Sequence, residues 1–378
     1  MKEGWTYKKL GEVCDILDYM RKPITKGKRE TGSIPYYGAT GCLDFVKDFI
    51  FDEKLVLLGE DGAKWGSGEN SAYIIDGKSW VNNHAHVLRP KRDILIDEFL
   101  VYYLNYENLQ PFITGVTVPK LNQEKMRSII IPVTSNKEQQ RIVSRLDAAF
   151  SHIDELKANA EKQLSEARAL FQKSLAKAME PKEGWKVKTL KEIGITQTGT
   201  TPSKSDLSNY GDFIPFIRPS EIDCDGCGSI DYNSEIKLSE KGLKNGRLFK
   251  KQSILMVCIG ATIGKVGYCT QDVSCNQQIN VLTPIKDSYK FIYYAMRNKD
   301  FNDKVIKGGT SAQATLPIIN KGKWEAMTIF LPSLSEQQRI VERLDALSAH
   351  VRELEENQKK IISECDALKQ ALLRKVFE

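Results

Sequence analysis

The sequence lacks several features that would place it in a familiar class. No run approaches 18 consecutive apolar residues, so a transmembrane helix is not predicted. The first residues, Met-Lys-Glu-Gly-Trp, carry no apolar signal region, so we expect a cytoplasmic protein without a membrane partner. The eight cysteines lack the spacing of a disulfide framework and are expected to be reduced thiols.

Motifs of common enzyme classes are also missing. The glycine-rich segment 257–267 resembles a phosphate-binding loop, but no glycine stands five residues before Gly264, and Lys265 precedes Val266 instead of Ser or Thr. There is no dinucleotide-binding fingerprint, no Asn-Pro-Pro-Tyr or Asp-Pro-Pro-Tyr methyltransferase motif, and no clear nuclease motif. We therefore predict a binding protein with no catalytic residues.

Cysteine and histidine groups give weak indications of a metal site. His84 and His86 would share one face of a strand, but no acidic residue is near them in the sequence. Four cysteines could hold zinc, yet the second pair has the wrong spacing for a zinc ribbon. These are Cys224, Cys227, Cys269 and Cys275. We predict no metal site, and interpret the cysteines as turn and core residues and the histidines as surface or groove contacts.

What the sequence does contain is an internal repeat, which predicts a repeated structural unit. The repeated segments match closely, whereas the bodies between them barely match, so we predict one scaffold that carries two different recognition surfaces. The repeated segments are Glu-Gln-Gln-Arg-Ile-Val at 138–143 and 336–341, Arg-Leu-Asp-Ala at 145–148 and 343–346, and Lys-Glu-Gly-Trp at 2–5 and 182–185.

The segments that follow the repeated motif predict two long helices. Apolar residues recur in alternating steps of four and three from Ile340 to Leu372, interrupted by Gln358. The same pattern lies 198 positions earlier, interrupted by Gln163. A single apolar seam needs a partner, so we predict that the two helices pair antiparallel within the chain. Pairing between two chains in a homodimer is the alternative.

Both helices have start signals. Ser135 and Asn136 precede the first helix and Ser335 precedes the second, as helix-capping residues do. Pro132 and Pro332 end the strand-like runs before them. The net charge is +6, and the helices themselves nearly balance, which leaves the positive surplus in the two bodies and mildly favours a polyanionic partner.

Each body has a mixed pattern of strands and helices. Strands are predicted over 50–59, 81–89, 213–217, 253–259 and 278–282, and helices over 94–109 and 288–298. Each helix carries a tyrosine pair, at 102–103 and 293–294, that we expect to be partly in the core with its hydroxyls reaching solvent.

This layout resembles the specificity (S) subunit of type I restriction-modification systems over essentially the whole chain. The resemblance is carried by the Pro-then-Glu-Gln helix entries at 131–143 and 331–341, the Gly-Trp starts at 4–10 and 184–190, and the inner segments at 58–63, 82–86, 214–218 and 259–264. It implies an α+β fold class: two mixed α/β target recognition domains separated by two long antiparallel coiled-coil helices, with a pseudo-twofold internal repeat. The domains would span 1–135 and 181–333, and the helices 136–180 and 334–378.

The resemblance implies a non-catalytic specificity subunit that recognises a bipartite, asymmetric target on double-stranded DNA. It would dock two methyltransferase (M) subunits, which bind S-adenosylmethionine and methylate adenine at N6. Restriction (R) subunits would add endonuclease activity that uses ATP and Mg²⁺. None of these cofactors would bind this chain directly. The alternatives are a coiled-coil protein-binding adaptor without DNA specificity, a standalone DNA-binding remnant, or a fused methyltransferase-endonuclease, which the missing motifs disfavour.

Candidate DNA contacts are polar residues in loops, because Arg reads guanine, Asn and Gln read adenine, and Lys and Arg also hold phosphates. For each candidate, a capped turn or a solvated loop is an equal interpretation. The candidates are Lys64, Trp65, Asn82, Asn83, His84, His86, Lys120 and Asn122 in the first body, and Lys204, Arg218, Asn276, Gln277, Gln278 and Gln313 in the second. Candidates for partner docking or helix entry are Glu138, Gln139, Arg141, Glu336, Gln337 and Arg339.

Overall fold

The structure is a computed structural model that describes residues 3–115, 117–223, 228, 230–233, 236–309 and 316–378. The chain forms two compact units: unit 1 comprises residues 1–160 and 359–378, and unit 2 comprises residues 161–358. Each unit contains one mixed α/β body and part of each of two long helices, whereas the sequence assigned the helices to segments of their own. In the described part of the chain, no helix has the length and apolar character needed to cross a bilayer.

The body of unit 1 precedes the first long helix. Its strands are β1 (Thr6–Lys9), β2 (Cys14–Ile16), β3 (Thr31–Gly38), β4 (Gly41–Val46), β5 (Phe51–Asp52), β6 (Leu55–Gly59), β7 (Ala72–Ile75), β8 (Lys78–Val81), β9 (Ala85–Pro90) and β10 (Ile130–Val133). Its short helices are α1 (Leu10–Val13), α2 (Asp97–Tyr106) and α3 (Gln123–Arg127), and the long helix α4 spans Asn136–Ala178.

Two four-stranded sheets form most of this body. One has the order β2-β9-β6-β7, and the other has the order β4-β3-β8-β5, in which β3 and β8 are parallel. The central strand β6 is fully buried on both faces, because Val56 and Leu58 pack into one core while Leu55 and Leu57 pack into another. A continuous apolar run is the sequence signal of such a strand.

The body of unit 2 follows α4. Its strands are β11 (Lys186–Thr189), β12 (Gly194–Thr198), β13 (Tyr210–Ile217), β14 (Lys237–Leu238), β15 (Ile254–Val257), β16 (Val266–Tyr268), β17 (Ser274–Cys275), β18 (Ile279–Pro284) and β19 (Thr328–Leu331). Its helices are α5 (Leu190–Ile193), α6 (Glu240–Asn245), α7 (Tyr289–Arg297), α8 (Lys299–Gly309) and α9 (Lys321–Glu325), and the second long helix α10 spans Leu334–Phe377.

Unit 2 repeats the topology of unit 1. The sheet β12-β18-β15-β16 corresponds to β2-β9-β6-β7, and the sheet β14-β13-β17 corresponds to β4-β3-β8, again with one parallel pair. The antiparallel pair β11-β19 corresponds to β1-β10. The predicted internal repeat and mixed α/β class are therefore confirmed, although the two bodies barely match in sequence.

The long helices pair antiparallel within each unit. In unit 1, the Lys157 and Asp366 side chains are 2.8 Å apart, and Lys369, further along α10, bonds Asp154, which precedes Lys157 on α4. In unit 2, the buried Gln358 donates to Gln163 at 2.9 Å, so the two polar interruptions of the seams satisfy each other. The predicted antiparallel pairing within one chain is confirmed.

Each body is anchored to its long helix by a tyrosine. The Tyr102 hydroxyl donates to Asp147, and the Tyr294 hydroxyl donates to Asp345 at 2.7 Å; both aspartates belong to the repeated Arg-Leu-Asp-Ala segment. Tyr294 is buried, contrary to the expectation that its hydroxyl reaches solvent, whereas Tyr102 is only partly buried and its bond to Asp147 is exposed, as expected. Burial and the nearby carboxylate raise the pKa of Tyr102. In the structure Tyr102 is equivalent to Tyr294, whereas an alignment of the two tyrosine pairs in the sequence would match Tyr102 with Tyr293.

Some predicted boundaries differ from the structure. The strand predicted over 81–89 is interrupted, because β8 ends at Val81 and β9 begins at Ala85, with a tight turn between them. The second helix is capped by Ser333, whose hydroxyl accepts from the Glu336 N–H at 3.4 Å, instead of by Ser335.

Candidate nucleic-acid interface

The turn between β8 and β9 contains three of the predicted DNA contacts. The Asn82 N–H donates to the Tyr37 carbonyl at 3.0 Å, and its side-chain Oδ1 accepts from the His84 N–H at 2.8 Å. Asn82 is buried and shapes the turn, so its assignment as a base contact is corrected. Asn83 and His84 lie exposed at the tip.

Unit 2 builds the same turn between β17 and β18. The Asn276 N–H donates to the Ile217 carbonyl at 3.1 Å, and its Oδ1 accepts from the Gln278 N–H at 3.1 Å. Gln277 is exposed and Gln278 is partly exposed. The structure therefore places two sets of predicted contacts at equivalent positions, with Asn83 and His84 at one tip and Gln277 and Gln278 at the other. We call these segments, residues 82–84 and 276–278, the tip turns.

His86 lies below the first tip turn and is fully buried. Its Nδ1 is 2.6 Å from Asp18 Oδ2, and its Nε2 is 2.7 Å from the Leu121 carbonyl oxygen. Both ring nitrogens thus face acceptors inside the protein, so His86 is a core residue and its assignment as a DNA contact is corrected. Burial alone would raise the pKa of Asp18, but hydrogen bonds from His86 and Gln123 hold that pKa below its ordinary value.

Asp18, Glu60 and His86 have ligand-type atoms within 4.8 Å of one another, as in a metal site. Two cations occupy this space, however: Lys120 Nζ is 2.6 Å from Glu60, and the Arg21 guanidinium also pairs with Glu60. Since both nitrogens of His86 are already bonded, the group is an ion-paired network instead of a metal centre. The acidic partners of the histidines, absent nearby in sequence, come from distant segments; His84 likewise pairs with Asp61.

Other candidates in unit 1 have structural roles. Trp65 is buried, and its indole N–H donates to the Gly59 carbonyl at 3.0 Å, so its assignment as a DNA contact is also corrected. Asn122 caps α3 by accepting from the Lys125 N–H at 2.9 Å. Lys64 is exposed, which is compatible with the predicted contact. Lys120 is part of the ion-paired network and is only partly exposed.

The remaining candidate DNA contacts lie in unit 2. Arg218 pairs with Glu221 at 2.5 Å, which makes the local capping role as good an account of this residue as a base contact. Lys204 is exposed. Gln313, together with the candidate zinc ligands Cys224 and Cys227, lies outside the described residues. The other two of those four cysteines, Cys269 and Cys275, are buried among apolar residues.

Sequence reasoning missed a basic segment next to the first tip turn, residues 21–29. It carries five cations, of which Arg21 and Arg29 pair with Glu60 and Asp44. The other three are exposed and form no ion pair with a carboxylate in the described part of the chain; they are Lys22, Lys26 and Lys28. The Lys22 N–H bonds the Val81 carbonyl at 3.2 Å, which ties this segment to the start of the turn. A lysine- and arginine-rich run of this length is itself the signal that would have found it.

The helix entries have a buried and an exposed part. Gln139 is fully buried: its Oε1 accepts from the Ile96 N–H at 2.9 Å, and its Nε2 donates to the carbonyls of Ile94 and Thr134 at 2.8 and 2.7 Å. Gln337 is equally buried and accepts from the Ser288 N–H at 2.9 Å. Both glutamines join a body to its helix, which fits the helix-entry role predicted for them, and their burial leaves the partner-docking role to their exposed neighbours.

The charged neighbours of these glutamines face solvent. Glu138 and Arg141 form an exposed pair at 2.6 Å, and Glu336 and Arg339 approach to 3.7 Å. In unit 1, a cavity of about 330 Å³ opens beside the start of α4. It is lined by apolar Trp5, Ile142, Leu146, Ala149, Leu372 and Val376 and by charged Glu138, Arg141, Arg145 and Lys375.

The chain is similar to known specificity subunits over most of its length. The model of the type I restriction modification DNA specificity domain matches twice, over residues 2–166 and 182–364. A putative type I restriction enzyme specificity subunit of Haemophilus influenzae is 29% identical over 350 residues, covering 90% of this chain and 86% of the relative. The EcoDI specificity subunit of Escherichia coli is 22% identical over 403 residues, covering 99% and 88%.

Solved structures have the same fold. A chain from a structure of type I restriction-modification complex assembly and conformational transition matches with a TM-score of 0.75 at 19% identity, covering 100% of this chain and 98% of that chain. The HsdS subunit from Thermoanaerobacter tengcongensis matches with a TM-score of 0.55 at 19% identity, covering 100% and 97%. The fold is thus that of the S subunits of type I restriction-modification systems.

The family model covers most of the chain, and the chain therefore belongs to the type I restriction-modification DNA specificity family. Specificity subunits of this family are non-catalytic DNA-recognition proteins.

Proposed function

We propose that each unit recognises one half of a bipartite, asymmetric DNA target. The observation that carries this proposal is the tip turn, which is built twice with the same hydrogen bonds but with different exposed side chains. An asymmetric target requires two recognition sites whose base-contacting side chains differ, and here these side chains are carried by the same turn. Asn, Gln and His side chains can bond base edges in the major groove, so residues 83–84 and 277–278 are the first candidates for base contacts.

Phosphate contacts would come from exposed lysines around the turns. Lys22, Lys26 and Lys28 would hold the DNA backbone beside the first tip turn, and the exposed Lys204 would do so in unit 2. Such contacts position a protein on the duplex and contribute affinity but no sequence information.

The helix entries would dock two M subunits. The charged residues at each entry recur at the same repeat positions, so one partner surface can bind twice. The cavity of unit 1 has an apolar floor and three cationic side chains against one acidic one, which suits an apolar partner segment flanked by carboxylates. We expect S-adenosylmethionine to bind the M subunits, and ATP and Mg²⁺ to act with R subunits, in the cytoplasm of the host.

The proposal is tested by expressing the full chain with its cognate M subunit and mapping adenine methylation in the host genome. A split methylated motif that disappears when this chain is deleted is the expected result. An unchanged methylation pattern with the M subunit present would contradict the proposal.

The division into two readers has its own test. Exchanging residues 1–135, the predicted first recognition domain, for those of a relative with another target should change one half of the motif and leave the other intact. A change in both halves would show that the units do not read separately.

A further inference from the structure

The two tip turns share a backbone but rest on different supports. Below the first turn lies the charged network of Asp18, Arg21, Glu60, His86 and Lys120, whose carboxylates are almost inaccessible to solvent. Arg21 connects this network to the turn, because it pairs with Glu60 and its Nη1 also donates to the Ala85 carbonyl at 2.8 Å. A longer contact of 3.4 Å reaches the Asn83 carbonyl at the tip.

Unit 2 has an uncharged set at these positions. The Asp18–His86 pair is replaced by Thr198 and Asn280, whose side chains bond at 2.8 Å. Thr201 takes the place of Arg21 and bonds the side chain of Gln277 at the tip.

The correspondence of Glu60 and Cys258 is fixed by the backbone. The Glu60 N–H donates to the His84 carbonyl at 2.8 Å, and the Cys258 N–H donates to the Gln278 carbonyl at 2.8 Å. Lys120 and Ile318 correspond in the same way. Lys120 forms a β-bridge with Asp61, next to Glu60, and Ile318 forms a β-bridge with Ile259, next to Cys258. The five charged groups of unit 1 therefore have no charged counterpart among these equivalent residues of unit 2.

A buried charge is costly unless it is paired, and removing one member leaves the others uncompensated. Among the described residues, Glu60 is the only carboxylate with ion pairs under 3 Å to both Arg21 and Lys120, whereas Asp18 lies 3.5 Å from Arg21. The position of Arg21, and through it the carbonyls of Asn83 and Ala85, thus depends on the charge of Glu60.

We propose that Glu60 is a positioning residue for recognition of the first half of the DNA target. It acts through Arg21, which holds the first tip turn so that the side chains of Asn83 and His84 keep one orientation. Glu60 itself is buried and would not touch DNA. This inference rests on the proposed DNA recognition by the tip turns.

The test uses the full chain assembled with its M subunit and compares binding to the mapped target with binding to duplexes that carry one wrong base pair. Glu60→Gln removes the charge and keeps the size. A wrong pair in the first half-site, which usually weakens binding about tenfold or more, should weaken the variant less than about threefold. Discrimination in the second half-site should be unchanged. Glu60→Asp, which keeps the charge, should recover part of the first-half discrimination.

The matched control is Glu53→Gln, which removes another ion pair of unit 1, that of Glu53 with Arg89 at 2.6 Å, away from the turn. It should leave discrimination at both half-sites unchanged. A residue that only supports folding would lower the active fraction and leave the ratio of right to wrong duplex unchanged, so an unchanged ratio in Glu60→Gln overturns the inference. If the unaltered chain showed no base discrimination at all, the proposed function itself would fail.

Discussion

At the scale of single residues, Gln139 shows how one amide joins a helix to a body. Its side chain accepts a hydrogen bond from one backbone N–H and donates to two backbone carbonyls. An amide is the one uncharged group that can donate and accept in this way. The neighbouring Gln140 is exposed, although the sequence motif presents the two glutamines alike.

Gln139→Ala should therefore lower the free energy of unfolding by about 2–4 kcal/mol, because buried backbone groups are left without partners. Gln140→Ala should change it by less than about 0.5 kcal/mol. Urea unfolding followed by circular dichroism measures both. Equal effects of the two variants would contradict the role assigned to Gln139.

Asp18 gives unit 1 a predictable dependence on pH. Its pKa in the folded protein is lowered from the ordinary value of 3.8, against the opposing effect of burial, by the bonds from His86 and Gln123. A lowered pKa stabilises the fold above the unfolded value, and this stabilisation is lost as the pH falls through the folded value.

Asp18→Asn should consequently be less stable than the parent at pH 7, with the difference shrinking as the pH falls below about 4. Thermal unfolding across this pH range measures the difference. The exposed Asp15→Asn serves as the control, with little change at any pH. A constant difference between Asp18→Asn and the parent would exclude the ionic role.

At the scale of elements, the basic segment 21–29 divides its charges between two tasks. The two arginines are held by carboxylates and shape the segment, whereas Lys22, Lys26 and Lys28 are exposed. Arginine suits the first task because its planar guanidinium makes several directed bonds at once. The equivalent segment of unit 2, residues 201–209, has only one cation, Lys204.

Replacing these three lysines by Gln should reduce the salt dependence of DNA binding, with the slope of log K against log salt falling by about 2–3 if each contacts one phosphate. Base discrimination should be retained. The control replaces three exposed lysines of the long helices instead, Lys162, Lys173 and Lys359. If the control lowered the slope equally, the effect would come from net charge and not from the segment.

At the scale of the whole molecule, charge is unevenly distributed. Residues 1–135 contain 18 basic and 18 acidic side chains, whereas residues 181–333 contain 21 and 15, so the positive surplus lies in the second body. The first body instead concentrates its cations locally. The helix entries do not share this asymmetry: Arg141, Arg145 and Lys375 recur 198 positions away as Arg339, Arg343 and Lys177.

The repeated entry charges predict two independent docking steps for M subunits. Arg145→Glu and Arg343→Glu should each reduce the complex from two M subunits to one, and the double variant should bind neither, because a rim cation facing an acidic partner becomes repulsive. Native mass spectrometry measures the stoichiometry. Lys173→Glu on the exposed face of α4 is the control and should keep two. Loss of both M subunits in one single variant would contradict independent docking.

Local periodicity and repetition were sufficient to predict the duplicated α+β organisation and the paired helices. An apolar heptad seam must pack against a second helix, and the matching seam 198 positions away in the sequence identifies that helix. The same reasoning could not tell Gln139 from Gln140, or the buried Asn82 from the exposed Asn83, because neighbours in a turn or at a helix start differ in burial without differing in pattern.

The sequence by itself thus determined the repeat, the antiparallel helices and the family. Only the tertiary structure decided which candidates lie at a surface. His86 is buried because its partners Asp18 and Leu121 come from 68 and 35 residues away, and Trp65 because it closes a core. Burial and hydrogen-bond partners depend on contacts between distant segments, so they could not be predicted from the sequence alone. Helical seams depend on residues three and four positions apart in the sequence, so they could be predicted.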